Sequence, residues 1–198
     1  MVRRIIFLWD LKQEELNEKE HKWKLDYLVN KVDTKYLKLH PSAMQKKQIE
    51  YLILYLKNSL VLVYNNNYDY LFDVLNYLAV TWTFSTNKGF QFVDLNTLLS
   101  LQNDSELYEK LVDTSLLIIP YIDYTQYQLK IFGGLLNSII STRYSKRKPV
   151  LIGWFFKSYP KDGDEFFKKS TPIIDLIGIG NFKVLMKKGK CIKLTTKE

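Results

Sequence analysis

Apolar positions along this chain change period several times, and each change marks an element. Residues 10–31, DLKQEELNEKEHKWKLDYLVNK, carry acidic residues early and lysines late, with Trp23, Tyr27 and Leu28 on one helical face. That spacing predicts an exposed helix docked by a narrow apolar stripe. His40 and Pro41 interrupt it, and Ser42 is placed to N-cap a helix from Ala43 to Lys57. From there short apolar strands alternate with helical segments. Leu60 to Tyr64 reads as a strand, Asp69 to Val80 as a helix with Leu71, Phe72, Leu75 and Leu78 inward, and Phe90 to Val93 as a second strand. LNTLLSLQNDSELYEKLVD reads as one broken helix or two short ones. Ser115 to Tyr121, SLLIIPY, is apolar without alternation, which predicts a strand covered on both faces, as at the centre of a parallel sheet. A helix over 124–144, a strand from Pro149 to Phe155, a short helix near Asp164 to Lys169 and a closing strand pair complete the reading. That pair is placed at Asn181–Met186 and Cys191–Leu194, turning at Lys188 and Gly189.

Strand and helix therefore alternate at least four times, the signature of a three-layer α/β domain with a mainly parallel central sheet. The 198 residues suit one such domain, 40–198, preceded by an N-terminal helical arm, 1–39. A hydrophobic fraction of 46% is enough for a sizeable core. No apolar run reaches the roughly 18–20 residues of a membrane span, and MVRRIIFLWD turns acidic too soon for a signal peptide. A single cysteine, Cys191, and two distant histidines, His21 and His40, give neither an internal disulfide nor a zinc-site spacing. The expectation is a cytoplasmic protein without membrane, metal or cofactor.

Between Asn58 and Ala79 the chain reads as strand, sharp polar break and amphipathic helix, the layout of a phosphate-binding loop. Such a loop needs glycines so that backbone N–H groups can close round phosphates, a lysine for the β/γ oxygens and a Ser/Thr for the metal. Asn65, Asn66, Asn67, Tyr68, Asp69 and Tyr70 stand there instead. Gly178 and Gly180 form a lone GIG that reads as a helix end, and Asp162, Asp164 and Glu165 read as a loop and helix start rather than a cation site. Charge is uneven: residues 1–142 hold 15 basic and 16 acidic side chains, residues 143–198 hold 14 and 5. A net +9 in the C-terminal part points to a polyanionic partner, nucleic acid first.

LVDTSLLIIPYIDYTQYQLKIFGGLLNSIISTRYSKRKPVLIG resembles the helicase-loader branch of AAA+ proteins, the DnaC/DnaI-type loaders and their IstB-like transposition relatives. In that family a hydrophobic strand ends in two acidic residues, and a helix then leads to an arginine–tyrosine pair, a basic run and a proline that opens the next strand. Arg143, Tyr144, Lys146, Arg147, Lys148 and Pro149 match the latter part. The catalytic positions depart from the pattern: Pro120 and Tyr121 occupy the strand-end metal position, Asp123 is displaced, and Gly153, Trp154 and Phe155 fall where a polar sensor is expected.

The resemblance and these departures together imply an AAA+-like binding or adaptor protein without nucleotide hydrolysis, acting in DNA replication or mobile-element maintenance. Its partner would be a replicative helicase, a loader or another ATPase subunit, in a homo- or hetero-oligomer. Trp9, Trp23, Tyr124 and Tyr127 are the candidate anchors for a protein partner. An alternative is DNA binding through a basic face of Arg143, Lys146, Arg147 and Lys148, extended by Lys157, Lys161, Lys168 and Lys169 if their loops gather on one side. A third reading keeps ATPase chemistry with displaced residues, Asp123 for the metal and Lys88 or Lys57 for the phosphates.

Overall fold

Five strands lie side by side in one parallel sheet: β1 (Leu60–Asn65), β2 (Phe90–Phe92), β3 (Leu116–Ile119), β4 (Val150–Phe155) and β5 (Cys191–Lys193), in the order β2-β3-β4-β1-β5. The computed structural model describes residues 5–56, 59–122, 126–187 and 190–196. Helices α1 (Gln13–Leu16), α2 (Lys19–Val29), α3 (Lys35–Lys38), α4 (Ala43–Tyr55) and α5 (Tyr68–Thr86) precede β2. They are followed by α6 (Leu95–Leu101), α7 (Ser105–Asp113), α8 (Gln126–Ser145), α9 (Gly163–Lys169), α10 (Thr171–Ile177) and α11 (Ile179–Lys187).

Strand periodicity divides the interior in two. Val61 and Val63 of β1 and Leu151 of β4 face a core shared with α2 to α5, whereas Leu60, Leu62, Val150, Ile152 and Trp154 face one shared with α6 to α11. All four residues of β3 are buried, as its unbroken apolar run predicts.

Local chemistry fixes the helix starts. Ser42 and Gln45 form a reciprocal capping box at α4, the Ser42 hydroxyl accepting from Gln45 N at 3.2 Å and the Gln45 amide oxygen from Ser42 N at 2.8 Å. Helix α5 extends to Thr86, beyond its expected end at Val80, although Thr81, Trp82 and Thr83 are weak helix formers. Burial on both sides outweighs that preference, and the hydroxyls of Thr81, Thr83 and Thr86 return to the carbonyls of Tyr77, Ala79 and Trp82 at 2.7–3.1 Å. On β4, Gly153 lets α5 lie close: a Cβ there would stand 2.7 Å from Leu75 Cδ1.

The segment before α4 packs against α5. Phe7, Leu8, Leu28 and Tyr36 enter that core, the Tyr36 hydroxyl donates to Asp73 Oδ1 at 2.7 Å, and Ser85 Oγ bridges both backbone groups of Ile6. The single helix expected over 10–31 is instead a short 3-10 turn, α1 and α2. Its docking face is His21, Lys24 and Leu28; Trp23 points outward at 40% exposure. The second correction concerns Asn181–Met186, which is helical within α11 and buries Asn181, Phe182 and Leu185. Short apolar runs carry both periods, and here the helical one packs. Lys188 and Gly189 lie outside the described residues.

Candidate functional site

In a parallel α/β sheet, ligands are held beyond the carboxyl ends of the strands, where loops lead into helix N-termini. Between β1 and α5 that loop is two residues, Asn66 and Asn67. The buried Asn65 side chain works in both directions: Nδ2 donates to Leu194 O at 2.8 Å and Oδ1 accepts from Asn67 N at 2.6 Å. Asn67 then caps α5, its Oδ1 accepting from Tyr70 N at 3.0 Å. Two of the backbone N–H groups at this helix start, those of Asn67 and Tyr70, are thus taken by the chain's own amides. Tyr70 continues the closure: its hydroxyl donates to Gln48 Oε1 at 3.1 Å, and Gln48 Nε2 donates to Thr195 O at 2.8 Å. Burial pushes the Tyr70 phenol above its ordinary pKa.

Aromatic rings occupy the neighbouring positions. Tyr68 stacks on Phe72 at 6.1 Å and meets Tyr121 and Phe155 edge-on at 6.1 and 6.2 Å. Tyr121 in turn lies against Trp154 at 5.2 Å and Phe155 at 5.5 Å. The strand-end positions Pro120 and Tyr121 therefore border the same ring cluster as the β4 end, and the charged side chain at this loop is the exposed Asp69. Among the described residues no group of three or more His, Cys, Asp or Glu side chains could hold a metal ion. Asp162 caps α9 through Glu165 N at 2.8 Å, and Glu165 accepts from Lys161 N at 2.6 Å, so the acidic cluster is a helix start. Lys169, held to Glu165 at 2.9 Å, keeps that carboxylate below its ordinary pKa. Gly178, at φ +81°, ends α10.

The basic residues do not form one face. Arg143 is fully buried, its Nη1 donating to the carbonyls of Leu111, Val112 and Thr114 at 2.7–3.0 Å and its Nη2 to Pro149 O at 2.7 Å. Burial lowers its pKa to about 10, which still leaves the guanidinium charged at neutral pH. It ties the C-terminus of α7 to the start of β4, where a cation favourably meets the negative end of the helix dipole. It is therefore removed from the set of surface contacts. Lys146 and Lys148 converge on Asp113 at 3.3 and 2.7 Å, and these bonds hold the Asp113 carboxyl below its usual range. Arg147 is exposed with φ at 55°.

Lys146, Arg147 and Lys148 precede β4, whereas Lys157 and Lys161 follow it. The six residues of β4 set the two groups roughly 20 Å apart at ~3.3 Å per residue. Lys168 is exposed at the end of α9, and Lys169 is engaged by Glu165 and Ser158. Lys88 lies past the far end of α5, about 28 Å from the loop at 1.5 Å per residue over 19 residues, and so cannot serve it. Lys57, Asp123 and Tyr124 lie outside the described residues, as does the Tyr127 side chain. Of the proposed anchors, Trp23 is exposed, while Trp9 is packed on Tyr77 at 5.1 Å and belongs to the core rim.

This parallel five-stranded sheet, with β1 between β4 and β5 and helices on both faces, has the fold of the DnaC helicase loader. Several solved structures resemble it. The crystal structure of the DnaC helicase loader superposes with a TM-score of 0.56 at 13% identity, over 86% of this chain and 99% of that one. The crystal structure of DnaI gives a TM-score of 0.48 at 11% identity, over 95% and 93%. No protein-family model matches the chain, and no curated protein sequence does.

Proposed function

We propose that this chain is an AAA+-like binding or adaptor protein of DNA replication or mobile-element maintenance that does not hydrolyse nucleotide. The observation that carries the reading is the closed loop between β1 and α5. A phosphate cradle requires free backbone N–H groups, a lysine and a Ser/Thr, and this loop offers two residues, amides engaged by Asn65 and Asn67, and a carboxylate at Asp69. Missing charge partners act on separate steps of phosphoryl transfer, so their joint loss is not compensated by any one substitute. The likeness to a helicase loader supports a partner of the replication machinery: a helicase, a loader or another ATPase subunit. No helix among the described residues is long and apolar enough to cross a membrane, in keeping with a cytoplasmic setting.

Isothermal titration with ATP and magnesium tests the first half: no heat of binding and no phosphate release are expected, and saturable binding that is lost on substituting Asn67 would overturn it. Light scattering after size exclusion, alone and with candidate helicases, tests the second. A chain that stays monomeric and binds none of them counts against the adaptor role. A second reading, DNA binding, rests on the exposed Arg147 beside Lys146 at the amino ends of the strands.

A further inference from the structure

The two outer strands of the sheet are treated differently. On β2, Gln91 pairs with β3, so Phe90 and Phe92 turn their backbone groups outward. Three of those four groups are covered: the Tyr27 hydroxyl donates to Phe90 O at 2.6 Å and accepts from Phe90 N at 3.0 Å, and Gln91 Nε2 donates to Phe92 O at 3.1 Å. On β5 the register with β1, bounded by Leu62 N to Lys190 O and Leu194 N to Tyr64 O, turns Ile192 inward and leaves the N–H and C=O groups of Cys191 and Lys193 facing out. Among the described residues nothing covers them.

Two hollows flank this open edge, one on each face of the sheet. Facing α4 is a groove of about 350 Å³ whose walls include Tyr51, Leu52, Ile192 and Leu194. Facing α11 is another of about 320 Å³, walled by Tyr64, Phe166, Met186 and Cys191. Strand side chains alternate between faces, so a strand laid against β5 would send successive side chains into the two hollows in turn. Tyr51 and Leu54 of α4 are 45% and 52% exposed, apolar surface continuous with the first groove. Lysines commonly guard sheet edges, but Lys193 lies back with its ammonium 3.6 Å from the Tyr159 ring centroid.

We propose that β5 is a β-augmentation site that receives an extended segment of a partner protein, apolar at alternate positions and acidic at its ends. The charge of the rim selects that occupant. Lys47 and Lys193 border one hollow and Lys161 the other, against Asp162, whose carboxylate is already spent capping α9. A second copy of this chain would bring the same basic rim to the edge again, so a segment with acidic ends is the better match in charge. The site gives the adaptor role a location, yet it is independent of the nucleotide question, since ATP titration tests one and peptide titration the other.

The probe is a fluorescent synthetic peptide alternating valine with threonine and ending in aspartates, followed by anisotropy. Saturable binding is expected, with slowed hydrogen exchange at the Cys191 and Lys193 amides. Lys193→Pro removes an outward donor without touching a bond to β1, a place where an edge strand tolerates proline, and should weaken binding at least about tenfold. Tyr51→Glu should do the same by charge, and Leu99→Glu, an exposed position on α6, should leave it unchanged. Circular dichroism of each variant separates lost binding from lost fold. No binding up to about 1 mM, or binding indifferent to both Lys193→Pro and Tyr51→Glu, overturns the proposal.

Discussion

Replacing Arg143 with methionine separates a structural guanidinium from a phosphate-binding one. Methionine fills most of the volume but donates nothing, so the carbonyls of Leu111, Val112 and Thr114 lose their partner, while Pro149 O keeps Leu117 N at 3.3 Å. Each buried acceptor stripped of its donor costs on the order of 1–3 kcal/mol, and relaxation at the end of α7 recovers part of the sum. A loss of about 3–5 kcal/mol is expected, a large share of the stability of a domain this size. That corresponds to a Tm lower by roughly 6–20 °C. Urea unfolding followed by circular dichroism reads the loss. Arg143→Lys should recover little, because one ammonium cannot reach carbonyls on both α7 and β4, and Arg147→Met should stay within about 0.5 kcal/mol of the parent. A loss below about 1 kcal/mol together with weakened DNA affinity would refute the reasoning, since it would mean that the guanidinium serves a ligand rather than the fold.

Asn65→Ala should destabilise by about 1–2 kcal/mol in the same urea assay, because Leu194 O keeps only the Tyr159 hydroxyl at 3.4 Å and the part-buried Asn67 N loses its acceptor; an unchanged midpoint would argue that the loop is not held as described. Arg147→Gly should stabilise by about 0.5–1 kcal/mol, since glycine adopts a φ of 55° without the Cβ penalty, and a neutral or negative result would dispose of that strain. Asp113 has a folded pKa below its unfolded value, so its contribution is present above the ordinary carboxylate range and lost as pH falls through the folded value. Asp113→Asn should therefore flatten the acid limb of the stability profile, and an unaltered limb counts against the Lys146 and Lys148 pairing. If DNA binds at the amino ends of the strands, Lys146→Glu with Arg147→Glu weakens filter binding and lessens its salt dependence, whereas Lys157→Glu, at the opposite end of β4, does neither.

The sheet was legible because its strands are unbroken apolar runs between helical periods, and SLLIIPY in particular admits little else. The lack of glycines, lysine and Ser/Thr between Asn65 and Tyr70 is plain in the sequence, whereas the two-residue length of the turn and its amide bonds are not. Harder to see was which polar side chains are interior. Arg143 sits in a basic run, yet it also continues the stripe Phe132, Leu136, Ile139 and Ile140 at helical spacing, and that stripe is what buries it. Lys24 is the same case: between His21 and Leu28 it occupies a docking face, where its ammonium lies 3.4 Å from both Glu20 Oε1 and Phe84 O. Charge predicts exposure only when position along the helix agrees, and α2 and α8 both break that agreement. The second error, a strand at 181–186, came from a run too short for its period to decide.

The turn between β1 and α5 also bears on the β5 edge of the sheet. An open phosphate cradle keeps the carboxyl ends of the strands free for a ligand, and the residues after the last strand must then stay clear of it. Here Leu194 and Thr195 are bonded to Asn65 and Gln48, so the end of β5 is held against the filled loop and the strand leading to it is pinned in register with β1. The amide network around the β1–α5 turn thereby ties the end of β5 to β1, with the outward groups of β5 presented between two hollows. Asn65→Ala consequently touches both the turn and the β5 edge. It should weaken peptide capture at β5 as well as stability, through a strand freed at its Leu194 end, and slower hydrogen exchange at Lys193 on peptide binding should be smaller in that variant. Full peptide affinity and full protection in Asn65→Ala would separate the loop from the edge and leave the two features without a common cause.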